Sequence, residues 1–124
     1  MRKLRSSSTV QKGREGEDRA VQFLESQGYR IEGRNFRTRR GEIDIIASRD
    51  DLLVFVEVKA LPRGNLELLA HELDRRKQEK IIETAKFYLE KYRQYNSRVI
   101  RFDVLAIDVP GLEPVHHIAN AFSE

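Results

Sequence analysis

The sequence contains no cysteine, and its 124 residues include only three prolines and three histidines. The absence of thiols excludes disulfide bonds and thiolate metal sites. No apolar run approaches the roughly 20 residues that a helix needs to span a bilayer, and the opening MRKLRSSSTV lacks the apolar stretch of a secretory signal. We therefore expect a soluble, cytoplasmic protein that does not contact a membrane.

The length and the charge distribution of the chain indicate the number of domains and the kind of partner. A chain of 124 residues with 40% hydrophobic content is long enough for one domain and too short for two ordinary domains. Residues 1–40 hold eleven Lys or Arg against five acids, a net +6, whereas residues 41–124 hold twelve against fifteen, a net −3. The basic part predicts an anionic polymer such as nucleic acid as a partner, although an ordinary solvated surface can have the same composition.

The basic, polar residues 1–12 have almost nothing to bury and predict a flexible N-terminal tail, which leaves residues 13–124 as the single domain. Residues 13–28 have the periodicity of an amphipathic helix, and Glu17 extends its apolar stripe toward the N-terminal end. An acid at this position can reach a buried site. It is also typical of a first helical turn, where the helix dipole favours it by about 0.3–1 kcal/mol.

Residues 41–59, GEIDIIASRDDLLVFVEVK, predict a β-hairpin in which carboxylates stand where apolar residues are expected. A turn centred on residues 50–51 pairs residues whose numbers sum to 101, so that Asp44 faces Glu57. Strict alternation places Asp44 on the same face as Ile46. The pairing depends on the turn, since one inserted residue would put the two acids on opposite faces.

Two carboxylates opposed at about 5 Å repel each other and destabilise a hairpin unless they share a proton or a cation. Lys59, two residues beyond Glu57 on the same face, compensates only part of this charge. Hard oxygen ligands in a chain without cysteine favour Mg²⁺ or Mn²⁺ over zinc. The alternative is a structural ion network in which the acids pair with Lys59 and another basic residue.

Residues 29–36 predict a strand before the hairpin, which completes a three-stranded meander. Four arginines lie near the turn between these strands, and they can hold phosphates because guanidinium groups match phosphate oxygens. They are Arg34, Arg37, Arg39 and Arg40. Arginines in such positions are also common on plain protein surfaces.

The rest of the chain predicts a helix and a returning strand. Residues 60–73 begin as a loop, and the pattern leaves open whether a short helix follows from Leu66. A long helix is predicted over residues 74–95. Residues 97–109 predict a strand that packs back parallel to one already present in the sheet.

Several polar side chains in this part lie near apolar positions. The core-facing stripe of the long helix is Ile81, Ala85, Leu89 and Tyr92, with Ile82 and Tyr88 beside it. Gln78 lies one turn before this stripe and Lys77 borders it, so either can reach an active site or cap the core. His116 and His117 are adjacent and would point to opposite faces of a strand, which favours packing and hydrogen bonding over metal ligation.

The predicted order is helix, three-stranded meander, helix and strand, with an acid on the first helix, an acid on the second strand and E-x-K on the third. This layout resembles the PD-(D/E)xK restriction-endonuclease-like superfamily, and within it the chain closely resembles the YraN-like family of predicted endonucleases. The matching segments are GREGEDRA at 13–20, Asn35-Phe36, GEIDII at 41–46, VFVEVK at 54–59, RFDV at 101–104 and HIANAF at 117–122. The resemblance implies an α/β fold with an αβββαβ core, in which helices flank a mixed central sheet.

The resemblance also implies roles for individual residues. Asp44 and Glu57 match the metal-binding acids of the superfamily, Lys59 matches its lysine, and Glu17 matches the acid that the first helix supplies. Gln78 lies where related nucleases use a helix residue. After VEVK the chain reads ALPRGN, where the family has a threonine and an arginine before a glycine loop, so it departs from the family at a substrate-contact position.

These roles imply an endonuclease that uses Mg²⁺ or Mn²⁺ to hydrolyse phosphodiester bonds. DNA is the expected substrate, including branched or damaged structures, with a function in repair or recombination. Two-fold enzymes of this class often pair their sites, so a homodimer is expected by analogy. The alternative is a nucleic-acid-binding or assembly module that keeps the fold without turnover.

Overall fold

The computed structural model describes residues 3–124, with side chains from residue 13 onward. Its elements follow the expected order, with a short helix and a fifth strand added. They are α1 (Lys3–Ser26), β1 (Arg30–Arg37), β2 (Glu42–Arg49), β3 (Leu52–Ala60), α2 (Leu66–Glu72), α3 (Arg75–Lys91), β4 (Val99–Ile107) and β5 (Val115–Phe122). In the part of the chain described, no helix is long and apolar enough to cross a membrane.

All five strands form one mixed sheet in the order β1-β2-β3-β4-β5. The first three are the predicted antiparallel meander, and the chain then crosses through α2 and α3 to place β4 parallel to β3. The α/β class, the meander and the parallel return are therefore confirmed. The sequence does not predict β5, because the side chains of this edge strand are partly buried or exposed and lack apolar alternation.

Helices cover both faces of the sheet and create two clusters of buried side chains. The α1-side core includes Ala20, Leu24, Ile45, Ala47, Val54 and Val56. The α3-side core includes Ile43, Ile46, Phe55, Ile81, Ala85 and Tyr88. The central strands β2 and β3 contribute to both cores, which explains why they are apolar almost without interruption.

Helix α1 begins earlier than predicted. It is described from Lys3, whereas the sequence predicts a start at Gly13. It ends before Gly28, as predicted, where a φ of +89° suits glycine because the residue has no Cβ. The flexibility of residues 1–12 stays a prediction, since their side chains lie outside the described residues.

Helix α3 begins where predicted, after the N-cap residue Asp74, but ends at Lys91 and gives way to a 3₁₀ turn. Its buried face is also rotated from the prediction. Tyr88 is 4% exposed, because its ring packs edge-on against aromatic rings of the sheet. Leu89 and Tyr92, predicted to face the core, are only partly buried.

Candidate metal and nucleic-acid site

The alternation of side chains along β2 is broken at Asp44. Ile43 and Ile46 both belong to the α3-side core, although strict alternation would put residues three positions apart on opposite faces. Asp44 instead lines a cleft beside α1 together with Glu17. The predicted shared face of Asp44 and Ile46 is therefore wrong, because the break turns the Asp44 side chain toward α1.

Strand β1 has the matching break. Gly33 and Phe36 both lie against Tyr88: a Cβ on Gly33 would be 3.9 Å from the Tyr88 hydroxyl, and the Phe36 and Tyr88 ring centroids are 5.1 Å apart. Between them, Asn35 has a φ of +54°, in the left-handed region that asparagine tolerates better than most residues. Strand β1 thus has one residue more than strict alternation allows, and so does β2. Because the two extra residues offset each other, the pairing register is the same on both sides of them and Asn35 lies opposite Asp44.

Strands β2 and β3 separate on the other side of Asp44. Their pairing ends at Ile45–Val56, which has the predicted sum of 101 and confirms the register of the hairpin. Beyond this pair, the backbone N–H of Val58 donates to Oδ2 of Asp44 at 2.8 Å. The acceptor of this N–H is therefore a side chain and not a backbone carbonyl of β2. The gap between the strands brings the carboxylates of Asp44 and Glu57 together.

Glu57 is buried and Asp44 is partly buried, and the two carboxylates have few hydrogen-bond donors. Burial and then the charge of Asp44 raise the pKa of Glu57 to about 8, although Lys59 and Lys77 oppose the rise. Burial also raises the pKa of Asp44 to about 6, with its backbone hydrogen bond opposing the rise and the charge of Glu17 adding to it. Without a cation, the pair therefore shares a proton at neutral pH.

The ammonium group of Lys59 lies between two acids. Its Nζ lies 3.9 Å from Oε2 of Glu57 and 3.5 Å from Oε1 of Glu72, the last residue of α2. The nearer partner is thus Glu72, which sequence reasoning did not single out. The ammonium group consequently offsets only part of the charge of Glu57.

An open cleft of about 520 Å³ runs between α1 and the break in β1 and β2. Glu17 lines it, but Oε1 of Glu17 is 3.3 Å from a guanidinium nitrogen of Arg34, which also holds Asp18 at 2.9 Å. Among the described residues, no three His or acidic side chains are close enough to hold a metal ion. The structure thus joins Asp44 to Glu57 and leaves Glu17 in an ion pair beside them.

Two predicted site residues on α3 have different surroundings. The carboxamide of Gln78 donates to the carbonyl of Leu73 at 2.8 Å and lines a separate pocket with Ser123. This places Gln78 as a cap on the turn before α3. Lys77 is exposed, but its charge lowers the pKa of Glu57, so it belongs to the electrostatic surroundings of the acid pair.

The arginines predicted to bind phosphates are mostly engaged by acids. Arg34 holds Glu17 and Asp18, Nε of Arg37 lies 3.2 Å from Glu42, and Arg40 lies 2.8 Å from Glu83. Arg39 is exposed in the turn between β1 and β2. Arg14, Arg34 and Arg37 line the cleft with Asp44, and Arg14 is one that sequence reasoning missed.

The donor set at the acid pair fits a hard divalent cation. Asp44 and Glu57 offer only oxygen, and the pair has a deficit of positive charge that a cation would correct. Glu17 lines the same cleft as Asp44 and could join them if it left Arg34. Mg²⁺ and Mn²⁺ suit such ligands.

A second buried carboxylate lies elsewhere in the sheet. Asp103 on β4 is 0% exposed and accepts hydrogen bonds from Arg101, from Nε2 of His117 at 2.7 Å and from the backbone N–H of Asn120 at 2.9 Å. Burial alone would raise the pKa of Asp103, but these hydrogen bonds outweigh it and lower the pKa to about 2. Arg101 also donates to the hydroxyl of Tyr29.

The family model and the relatives that match this chain all name the same family. The model of "Uncharacterised protein family UPF0102" matches residues 16–107. The chain is 45% identical to a UPF0102 protein of Persephonella marina over 111 residues, which cover 90% of this chain and 92% of the relative. It is 47% identical to one of Treponema pallidum, with 88% and 90% covered, and 37% identical to one of Myxococcus xanthus, with 98% and 97% covered.

Proposed function

The chain belongs to the UPF0102 family, and we propose that it is a magnesium-dependent nuclease that hydrolyses phosphodiester bonds in DNA. The single observation that carries this proposal is the gap between β2 and β3, where the buried Glu57 and the partly buried Asp44 come together without enough positive charge. An acid pair that only stabilised the fold would be expected to have cationic and hydrogen-bonding partners that keep its pKa values low, as Asp103 does.

The order of elements and the positions of the acids support placement in the PD-(D/E)xK restriction-endonuclease-like superfamily. The acid on β2, the E-x-K segment on β3 and the acid on α1 all lie around one gap in the sheet. The parallel β3–β4 pair and the helices on both faces fix the position of this gap.

In the proposed reaction, Asp44 and Glu57 hold a magnesium or manganese ion, which supplies Lewis acidity toward water and phosphate when bound. Lys59 contributes a positive charge on the Glu57 side, where it can orient the attacking water or stabilise the developing oxyanion. The cleft beside Asp44 accommodates the nucleic-acid strand, with Arg14 and Arg37 close enough to contact phosphates.

A second candidate is a nucleic-acid-binding or assembly module without turnover. The pairing of Glu17 with Arg34 favours it, because an ion pair occupies the acid that would complete a three-carboxylate site. The two candidates share the cleft and its basic rim. They differ in whether bound nucleic acid is cut when a divalent cation is present.

A cleavage panel tests the proposal. Purified protein is incubated with duplex, single-stranded and four-way-junction DNA, and with matched RNAs, in Mg²⁺, in Mn²⁺ and in EDTA. We expect metal-dependent cleavage of DNA, reduced about 1,000-fold or more in Asp44→Ala, Glu57→Ala and Lys59→Ala.

Glu79→Gln is the matched control, since Glu79 is an exposed acid paired with Arg75 on the surface of α3. It is expected to cut as the wild type does. Full activity in the three alanine variants would refute the mechanism. Binding without any product in every metal condition would instead favour the module.

A further inference from the structure

We propose that Asn35 binds the substrate directly, by donating its carboxamide N–H to a phosphate oxygen of the nucleic-acid strand in the cleft. The inference rests on the proposed nuclease function and names a contact that neither the acids nor the arginines provide. Asn35 follows Arg34 on β1 and lies opposite Asp44, so a group that it holds is adjacent to the acid pair.

The backbone at Asn35 is unusual for its surroundings. A residue with φ of +54° lies inside a strand whose pairing with β2 continues on both sides, at Arg34–Ile45 and at Phe36–Ile43. Left-handed residues are uncommon inside strands, and asparagine accepts the conformation better than most residues. Here the conformation accompanies the break that turns Asp44 out of the sheet.

The side chain of Asn35 is available to a ligand. It is exposed, it lines the cleft of about 520 Å³, and it makes no hydrogen bond to any described side chain or backbone group. Its neighbours in that cleft include Arg14 and Arg37. An amide donor beside cationic groups suits an anionic strand, because side-chain amides commonly contact phosphate oxygens.

Asparagine at position 35 can be explained by its positive φ alone, so the experiment must distinguish this conformational role from a binding role. Asparagine and glycine both accept left-handed backbone angles, so Asn35→Gly retains the break in β1 and removes only the carboxamide. Asn35→Asp retains the shape but replaces the N–H donors by a negative charge.

The chain offers a matched control in Asn120. It is also an exposed asparagine with φ of +54° in a strand, but it lies on β5, and its backbone N–H to Asp103 survives the change to glycine. Asn35→Gly and Asn120→Gly therefore make the same chemical change at the same backbone angle, inside and outside the cleft.

The experiment measures binding of fluorescein-labelled duplex, single-stranded and four-way-junction DNA by anisotropy in Ca²⁺ at fixed salt, and cleavage in Mg²⁺. We expect Asn35→Gly and Asn35→Asp to raise the Kd about 10-fold or more, the size of a lost hydrogen bond to a charged group. The Mn²⁺ affinity and the unfolding midpoint of Asn35→Gly should remain those of the wild type, whereas Asn35→Asp, which adds a carboxylate opposite Asp44, is compared by its DNA binding alone. Asn120→Gly should match the wild type in every assay.

Equal DNA binding by the wild type and Asn35→Gly would overturn the inference and leave the nuclease proposal intact. A Kd increase of the same size in Asn120→Gly would also overturn it, because the loss would then come from the backbone. If the wild type neither binds nor cuts any probe, the proposed function and the role of Asn35 fall together.

Discussion

The sheet contains two sets of buried carboxylates that have opposite surroundings. Asp103 is enclosed by donors from Arg101, His117 and a backbone N–H, and its pKa is lowered to about 2. Asp44 and Glu57 face each other across a gap, and burial raises the pKa of both. Burial is common to the two sets, so the supply of hydrogen-bond donors and positive charge makes the difference.

This contrast indicates that Asp103 has a structural role, whereas Asp44 and Glu57 are suited to bind a ligand. Asp103 joins β4 to β5 and, through Arg101, to Tyr29 just before β1, and its hydrogen-bond partners all come from the protein. The acid pair lies where the strand pairing ends, and Lys59, the cation within reach of Glu57, is shared with Glu72. Raised carboxylate pKa values of this kind cluster at functional sites.

The largest expected effect is at Asp103. Asp103→Ala should lower the free energy of unfolding by about 3–5 kcal/mol, because it leaves Arg101 and His117 without their buried partner. Urea denaturation at pH 7 measures the loss. The lowered pKa means that this stability is present above about pH 4, the ordinary range of an Asp, and is lost as the pH falls toward 2.

Addition of Mg²⁺ should leave the denaturation curve of Asp103→Ala displaced by the same amount, since Asp103 is not expected to hold metal. Asp51→Ala, an exposed turn substitution at a residue without a positive φ, is the control for a lost aspartate. A loss below about 1 kcal/mol would contradict the structural role, because it would mean that the surrounding donors do not need the carboxylate.

The next effect is at Glu57. A raised pKa in the folded state stabilises the metal-free protein below the ordinary pKa of the acid, and this contribution is lost as the pH rises toward about 8. The metal-free wild type should therefore lose about 2 kcal/mol between pH 6 and pH 8. Glu57→Gln, a neutral isostere, should remove most of this dependence.

Urea denaturation in EDTA and in Mg²⁺, at both pH values, tests this expectation. Mg²⁺ should stabilise the wild type more at pH 8 than at pH 6, because metal binding displaces the shared proton. It should have little effect on Glu57→Gln. If the free energy of unfolding of the wild type were the same at pH 6 and pH 8 and did not respond to Mg²⁺, the proposed difference between Glu57 and Asp103 would be refuted.

Much of this arrangement is predictable from sequence. The apolar runs and the polar turn at residues 50–51 are enough to predict the β2–β3 register, because a two-residue turn and one buried face fix which residues pair. The motif residues Asp44, Glu57 and Lys59 then fall together. The parallel return of β4 follows from a long helix that must pack back onto the sheet.

Other features depend on long-range contacts that periodicity does not contain. The break that turns Asp44 toward α1 needs an extra residue in both β1 and β2, and only the three-dimensional structure shows the positive φ of Asn35. Glu72 meets Lys59 because α2 folds over the end of β3. The ion pair of Glu17 with Arg34 joins two elements whose separation in space the sequence does not specify.

The smallest effect concerns Arg34, which holds Glu17 in the way that Arg101 holds Asp103. Arg34→Gln should free Glu17 to join the acid pair and lower the Kd for Mn²⁺ about 2- to 5-fold, the size of a partly exposed ion pair. Calorimetric titration measures the change, and Arg40→Gln is the control because Arg40 pairs with Glu83 outside this cleft. Weaker Mn²⁺ binding in Arg34→Gln would instead show that the arginine supports the site, and that Glu17 does not complete it.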